Sequence, residues 1–203
     1  VDIMDFGIQS AELAMPKRET LPAGTPFMAM EHLHGGSAHR CQGRLSWKQV
    51  SEIAFQLLDG LAHAHARGVV HLDLKPANIL LHQPIDSSSR GILPRVKIAD
   101  FGISTWIGKT MSRRGLGGTP TYAAPEQIRG AWRDVGPWTD FYALGCTLWA
   151  LLSGSTPYRP RTWQEAMQEH LHSSPPPFKP RTAVPEGVEE LLLRLLEKQP
   201  ERR

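Results

Sequence analysis

Short alternating runs of apolar residues begin this chain, and helical periods dominate the rest of it. Residues 1–9 alternate in a way that predicts a β-strand, and residues 26–30 form a second short apolar run. The segment between them, residues 9–25, contains two prolines and a glycine, which is typical of an inserted loop. The beginning of the chain therefore predicts a small piece of β-sheet.

Apolar residues spaced three and four apart predict four longer helices in the remainder. Their predicted ranges are 46–67, 138–152, 163–171 and 187–198. Ser46 can cap the first helix, and Gly68 ends it. The second is apolar almost all round, which predicts a buried central helix, and Gly154 stops it. The inward-facing positions predicted for the first, second and last helices are Val50, Ile53, Ala54, Leu57, Leu58 and Leu61; Leu144, Leu148, Leu151 and Leu152; and Val188, Leu191, Leu192, Leu195 and Leu196.

Composition narrows the class of protein. The 203 residues suffice for one domain with a sizeable core, and the net charge of +3 comes without a long run of Lys and Arg, so no nucleic-acid partner is expected. Cys41, in a polar loop, and Cys146, in an apolar helix, do not suggest a disulfide framework, which fits a cytoplasmic location. The longest apolar stretch, residues 142–152, is too short for a bilayer, so we expect no membrane contact from this region.

Two short loops concentrate the residues that can carry chemistry. Residues 71–78 read HLDLKPAN, and residues 100–102 read DFG directly after the β-prone run 96–99. Carboxylate and amide oxygens suit a magnesium ion. Phosphoryl transfer needs such groups, because its catalysis consists mostly of positioning and charge neutralisation.

The two loops resemble the catalytic loop and the magnesium loop of protein kinases, H-R-D-L-x-x-x-N and D-F-G. Residues 118–126, GTPTYAAPE, resemble the stretch that ends in A-P-E, and residues 140–145, DFYALG, resemble D-x-W-x-x-G with Tyr142 in place of Trp. Four matches in the same order identify the chain as a member of the Ser/Thr protein kinase family. Residues 75–80, KPANIL, and DFYALG followed by LLSGSTPY at residues 151–158 most resemble its bacterial eukaryotic-like branch. The resemblance implies an α+β, protein-kinase-like fold with a mostly helical C-lobe and a fragment of the N-lobe β-sheet.

The resemblance also implies a domain organisation for residues 1–203. Residues 1–31 would be the end of the N-lobe with insertion 9–25, residues 32–36 the hinge, and residues 37–203 a C-lobe truncated at its end. A second Asp-Phe-Gly triplet, Asp5-Phe6-Gly7, precedes any catalytic loop, so it is not taken as a magnesium loop. No glycine-rich phosphate loop, β3 lysine or αC glutamate is matched. We therefore expect little phosphotransfer from these 203 residues alone; detectable turnover by the isolated segment would contradict this.

Each matched residue takes a role from the family. Asp73 would orient the substrate hydroxyl and accept its proton, and Lys75 would place positive charge beside the γ-phosphate. Asn78 and Asp100 would hold Mg²⁺. Thr119 would hydrogen-bond Asp73 and Lys75, and both Lys75 and Thr119 favour Ser/Thr acceptors on protein substrates.

ATP would bind near the predicted hinge. Met30 matches the gatekeeper, and the backbone groups of Glu31 and Leu33 would meet the adenine edge. Leu80 would lie under the adenine ring, although a role in the core of a strand explains Leu80 nearly as well.

Further expectations concern structural partners. His71 and Phe101 would pack together, and Arg203 would pair with Glu126, since an isolated buried carboxylate is costly. Leu72 stands where the family has an arginine that pairs with a phosphate on the activation loop. Activity should therefore not depend on that ion pair, even though Thr110 and Ser112 could be phosphorylated.

Two alternatives to a protein kinase stay open. One is a pseudokinase, a nucleotide-binding or scaffolding module that regulates a partner; the four charged and amide residues of the two loops oppose it. The other is a phosphotransferase for small molecules, which the A-P-E stretch opposes. A metal site at His63, His65 and His71 is disfavoured, because His63 and His65 are two residues apart on a helix and point to different faces.

Overall fold

The computed structural model consists of two compact units, Val1–Leu33 and His34–Arg203. It describes residues 1–8, 10, 13–14, 20–85, 93–101 and 120–203. The division between the units falls inside the segment predicted as a hinge, and the lobe boundaries themselves stay a prediction. Thr110, Ser112 and Thr119 lie outside the described residues.

The first unit is built on a two-stranded antiparallel ribbon. Strand β1 (Ile3–Ile8) pairs with β4 (Pro26–Met30), with an irregular register between Ile3 and Asp5. Segment 9–25 is not only a loop, because β2 (Leu13–Ala14) and β3 (Thr20–Leu21) form a second small ladder. Strands of two residues are too short to leave a hydrophobic period, so the sequence could not predict them.

Helix α1 (Trp47–His65) opens the helical part of the second unit. Its capping box is complete, since the Ser46 Oγ accepts from the Gln49 N–H at 3.4 Å and the Gln49 Oε1 accepts from the Ser46 N–H at 3.0 Å. The helix ends two residues before the predicted position, and Gly68 follows with φ +72°. Leu58 was predicted to face inward but is 41% exposed, so the buried stripe of α1 is narrower than its apolar stripe.

Strands β5 (Ile79–Leu81) and β6 (Val96–Ile98) pair antiparallel beneath α1. The Gln56 side chain of α1 holds the entry to β6, donating to the Pro94 carbonyl at 2.7 Å and accepting from the Val96 N–H at 2.9 Å. The strands thus flank the predicted insertion at 84–94, whose residues 86–92 lie outside the described part of the chain.

The centre of the second unit is helix α3 (Pro137–Ser153), which follows the short helix α2 (Pro125–Arg129). Its four predicted inward leucines are buried, and Gly154 ends it in the left-handed conformation with φ +86°. Gly145 is required for close packing, because a Cβ there would lie 2.8 Å from the Leu195 Cβ of the last helix.

Two shorter helices complete the fold, α4 (Trp163–His172) and α5 (Val188–Leu195). Helix α5 ends three residues earlier than predicted. Leu191 is 51% exposed rather than inward-facing, whereas Val188, Leu192 and Leu196 are buried. Cys41 lies buried in a 3-10 turn, Ala38–Cys41, rather than in a polar loop. None of the helices in the described ranges combines the length and hydropathy that a bilayer-spanning segment needs.

Candidate catalytic site

A carboxylate, an ammonium group and an amide meet in the loop after α1. The Lys75 Nζ donates to the Asp73 Oδ2 at 2.7 Å, and the Asn78 Nδ2 donates to the same oxygen at 3.1 Å and to the Asp73 carbonyl at 2.9 Å. The 3-10 turn Pro76–Asn78 brings Asn78 back towards Asp73. Asn78 is buried, while the Asp73 and Lys75 side chains are 39% and 35% exposed. The Asp73–Lys75 pair therefore faces solvent, and the buried Asn78 side chain holds Asp73 in place.

Ala99 joins this loop to the segment that carries Asp100. Its N–H donates to the Asn78 carbonyl at 2.8 Å, and its carbonyl accepts from the His71 Nε2 at 2.9 Å. Asp100 follows with φ +61°, a left-handed conformation that is uncommon outside glycine. The His71 and Phe101 rings pack with their centroids 4.6 Å apart, which confirms that expectation. The DFG aspartate is therefore tied to the catalytic loop through its neighbours.

Asp140 anchors the catalytic loop from inside the unit. Its carboxylate, fully buried at the start of α3, accepts from the backbone N–H of His71 and of Leu72, each at 2.8 Å, and from the His65 Nε2 at 2.7 Å. These three donors compensate for the loss of water around a buried charge. They also hold Leu72 at φ +65°, which a residue with a Cβ adopts only under constraint.

The roles of Asp140 and His65 were not predicted from the sequence. Asp140 was predicted only as the first residue of the match to D-x-W-x-x-G at the start of a helix, and His65 was considered only as a metal ligand. An acidic residue in an otherwise apolar, buried helix was the available signal, since such a group needs partners. The sequence could not identify those partners, because they lie about 70 residues away along the chain.

A buried ion pair holds α2, which contains the end of the A-P-E stretch. Arg203 forms two bonds to Glu126, Nη1 to Oε1 at 2.8 Å and Nη2 to Oε2 at 2.9 Å, and the Thr139 hydroxyl donates to Oε1 at 2.8 Å. Burial alone would raise the pKa of Glu126, but the hydrogen bonds and charge of Arg203 outweigh it and hold that pKa below its ordinary value. The predicted pairing of Glu126 with Arg203 is confirmed.

Comparison with known proteins identifies the family of the chain. The family model described as "Protein kinase domain" matches residues 17–203. The chain belongs to the protein kinase family. The α+β, kinase-like fold predicted from the sequence is thereby confirmed.

Among its relatives, this protein kinase chain is 36% identical over 189 residues to the serine/threonine-protein kinase pkn3 of Myxococcus xanthus, covering 87% of the chain and 33% of the relative. It is 38% identical over 183 residues to Pkn1 of the same organism, covering 88% and 25%. It is 36% identical over 159 residues to PknF of Mycobacterium tuberculosis, covering 76% and 32%. The chain thus spans a third or less of the length of these relatives.

The predicted site residues of the kinase chain fall into four groups. Asp73, Lys75 and Asn78 are in direct contact, and Asp100 follows the Ala99 bridge. Leu80 is partly exposed on the opposite face of β5 from the buried Ile79 and Leu81. Met30, Glu31 and Leu33 belong to the first unit, and Thr119 lies outside the described residues. Their nucleotide-binding and catalytic roles stay predictions.

Proposed function

We propose that this chain is part of the catalytic domain of a kinase that transfers the γ-phosphate of ATP to Ser and Thr hydroxyls of proteins. The observation that carries the proposal is the convergence of Lys75 and Asn78 on one oxygen of Asp73. Because both contacts use Oδ2, no described residue bonds the Asp73 Oδ1, which would orient a substrate hydroxyl and accept its proton. Lys75 supplies positive charge where negative charge develops during transfer.

The donor set fits Mg²⁺ and ATP. Since the amide nitrogen of Asn78 is turned to Asp73, its amide oxygen is directed away from that residue, and Asp100 offers a solvent-exposed carboxylate. Hard oxygen ligands of this kind suit Mg²⁺, which would neutralise charge on the phosphates when bound. Asn78 and Asp100 would hold the metal, and Met30, Glu31, Leu33 and Leu80 would contact the adenine.

Several features support protein hydroxyls as acceptors. Lys75 and Thr119 follow the Ser/Thr-kinase pattern, the A-P-E stretch matches a platform for protein substrates, and the similar proteins are named serine/threonine-protein kinases. The two free cysteines, Cys41 and Cys146, suit the reducing cytoplasm that we propose for this reaction.

The test is transfer of labelled phosphate from Mg-ATP by the full-length protein that contains this chain, to itself and to a basic acceptor protein. We expect phosphoserine and phosphothreonine, and we expect Asp100→Ala and Asp73→Asn each to lower the rate at least 100-fold. Asp59→Asn, the same chemical change at an exposed site on α1, is the matched control and should leave the rate unchanged.

A pseudokinase is the second candidate. Intact nucleotide binding with no transfer by the unaltered protein would establish it in place of the enzyme. Transfer to a small-molecule hydroxyl but to no protein would instead support the third candidate. Phosphate transfer that persists in Asp100→Ala and Asp73→Asn would refute the roles assigned to these residues.

A further inference from the structure

The Gln127 side chain forms a bridge between α2 and the catalytic loop. Its Oε1 accepts from the Ala124 N–H at 2.9 Å, and its Nε2 donates to the Leu72 carbonyl at 2.9 Å. The amide thus accepts with its oxygen and donates with its nitrogen, so each end makes a contact of the kind that it can form. The two segments that it joins are 55 residues apart along the chain.

The bridge ends on the most constrained residue of the catalytic loop. The Leu72 N–H donates to the Asp140 Oδ1 at 2.8 Å, so both backbone polar groups of Leu72 are held by side chains of other elements. Its φ of +65° is left-handed, and a leucine keeps that conformation only where its surroundings maintain it. Leu72 immediately precedes Asp73, so a rotation of the Leu72–Asp73 peptide would move the Asp73 carboxylate.

The other end of the bridge is firmly placed. Gln127 adjoins Glu126, whose buried ion pair with Arg203 fixes α2, and the Ala124 N–H donates to the Gln127 amide oxygen at the start of that helix. The Leu72 side chain is apolar and buried, so it cannot couple the two segments by a charge. A neutral hydrogen bond to its backbone makes the connection instead.

We infer that Gln127 is a positioning residue, which couples the placement of α2 to the orientation of Asp73 through the Leu72 carbonyl without a phosphate. The effect on catalysis rests on the proposed kinase function, whereas the coupling between the two segments does not. When α2 is in place, the Gln127 amide holds the Leu72 peptide in the orientation that presents Asp73. When α2 is displaced, that restraint is lost.

Gln127→Glu in the full-length protein separates this coupling from the fold. A carboxylate can still accept from the Ala124 N–H, but it cannot donate to the Leu72 carbonyl. We expect kcat to fall about 10- to 100-fold, because small displacements of a catalytic group cost that much. The KM for ATP should stay within about twofold of wild type, and Tm should be unchanged. Gln168→Glu, the same substitution at an exposed site on α4, should alter none of these three quantities.

A second measurement is independent of activity. Hydrogen exchange of residues 70–75 should be faster in Gln127→Glu than in wild type, while residues 125–129 keep their protection. Gln127→Met, of similar length and without a charge, removes the same donor and should produce the same local change. If Gln127→Glu does not fold, hydrogen exchange in Gln127→Met tests the coupling in its place.

Two results would overturn the inference. One is exchange of residues 70–75 that is unchanged in both variants. The other is a loss of Tm and ATP affinity in parallel with kcat, which would indicate a structural role only. If the wild-type protein transfers no phosphate, the proposed function fails, and the exchange measurement alone decides whether Gln127 couples α2 to the loop.

Discussion

Removing Arg203 should leave a buried, ionised Glu126 without its principal partner. The exposed fractions of the two side chains are 0% and 1%, so solvent cannot replace the two lost hydrogen bonds. Breaking a buried pair in this way costs about 3–5 kcal/mol of unfolding free energy. For a domain of this size we expect Arg203→Met to lower Tm by roughly 6–20 °C, at about 2–4 °C per kcal/mol.

The pH dependence gives this prediction a second signature. In wild type the pKa of Glu126 is depressed below 4.5, so the stability from the pair is present above that pH and is lost as pH falls through the folded-state pKa. In Arg203→Met burial is no longer opposed by the guanidinium, so the pKa of Glu126 should be raised. That variant should therefore lose stability as pH rises above 4.5, and its deficit should be largest near neutral pH.

Urea denaturation followed by tryptophan fluorescence, at pH 4 and pH 7, measures both effects. Arg202→Met removes the charge of the exposed neighbouring residue and should change stability by no more than about 0.5 kcal/mol. A deficit below about 1 kcal/mol for Arg203→Met at pH 7, or the same deficit at both pH values, would refute the assignment of a desolvated, charge-compensated Glu126.

Three further predictions follow from the described packing and from the sequence. Alanine at Gly187 should cost about 1–2 kcal/mol for its positive φ. Alanine at Gly43 should cost more, because its Cβ would lie 2.8 Å from a backbone Cα; equal losses in urea denaturation would contradict this. Burial, with the charge of a nearby lysine, lowers the pKa of His170 from 6.5 to about 3. Its contribution to unfolding free energy should thus fall by about 1.4 kcal/mol per pH unit below 6.5, and His170→Gln should abolish that slope. Thr110→Ala with Ser112→Ala should leave full-length kinase activity within about tenfold, equal to 1.4 kcal/mol of barrier, because the catalytic loop lacks the usual arginine; a larger loss would refute it.

Much of the fold could be predicted, because helical periods and capping residues act locally. The capping box of Ser46 and the glycine end of α3 at Gly154 involve only near neighbours in sequence. The incorrect predictions of burial concern residues at the edges of the apolar stripes of α1 and α5. Leu58 and Leu191 fit the helical period but are exposed, because the width of the buried face depends on which elements pack against it.

The candidate site was predictable in its residues and not in its supports. The spacing of Asp73, Lys75 and Asn78 already implied a shared loop, and the structure brings their polar atoms into contact. Asp140 and Gln127 were not recognised as supports of that loop, because each contacts it across 55 or more residues. No local pattern records such a contact.

The sequence by itself determined which residues are candidates for the chemistry and where most helices lie, because those features depend on side-chain type and short-range spacing. Only the tertiary structure decided the left-handed backbone of Leu72, the Ala99 bridge between the two loops and the depressed pKa of Glu126. Each of these depends on hydrogen bonds or charges from distant segments, whose free energy compensates for burial and backbone strain only after the chain has folded.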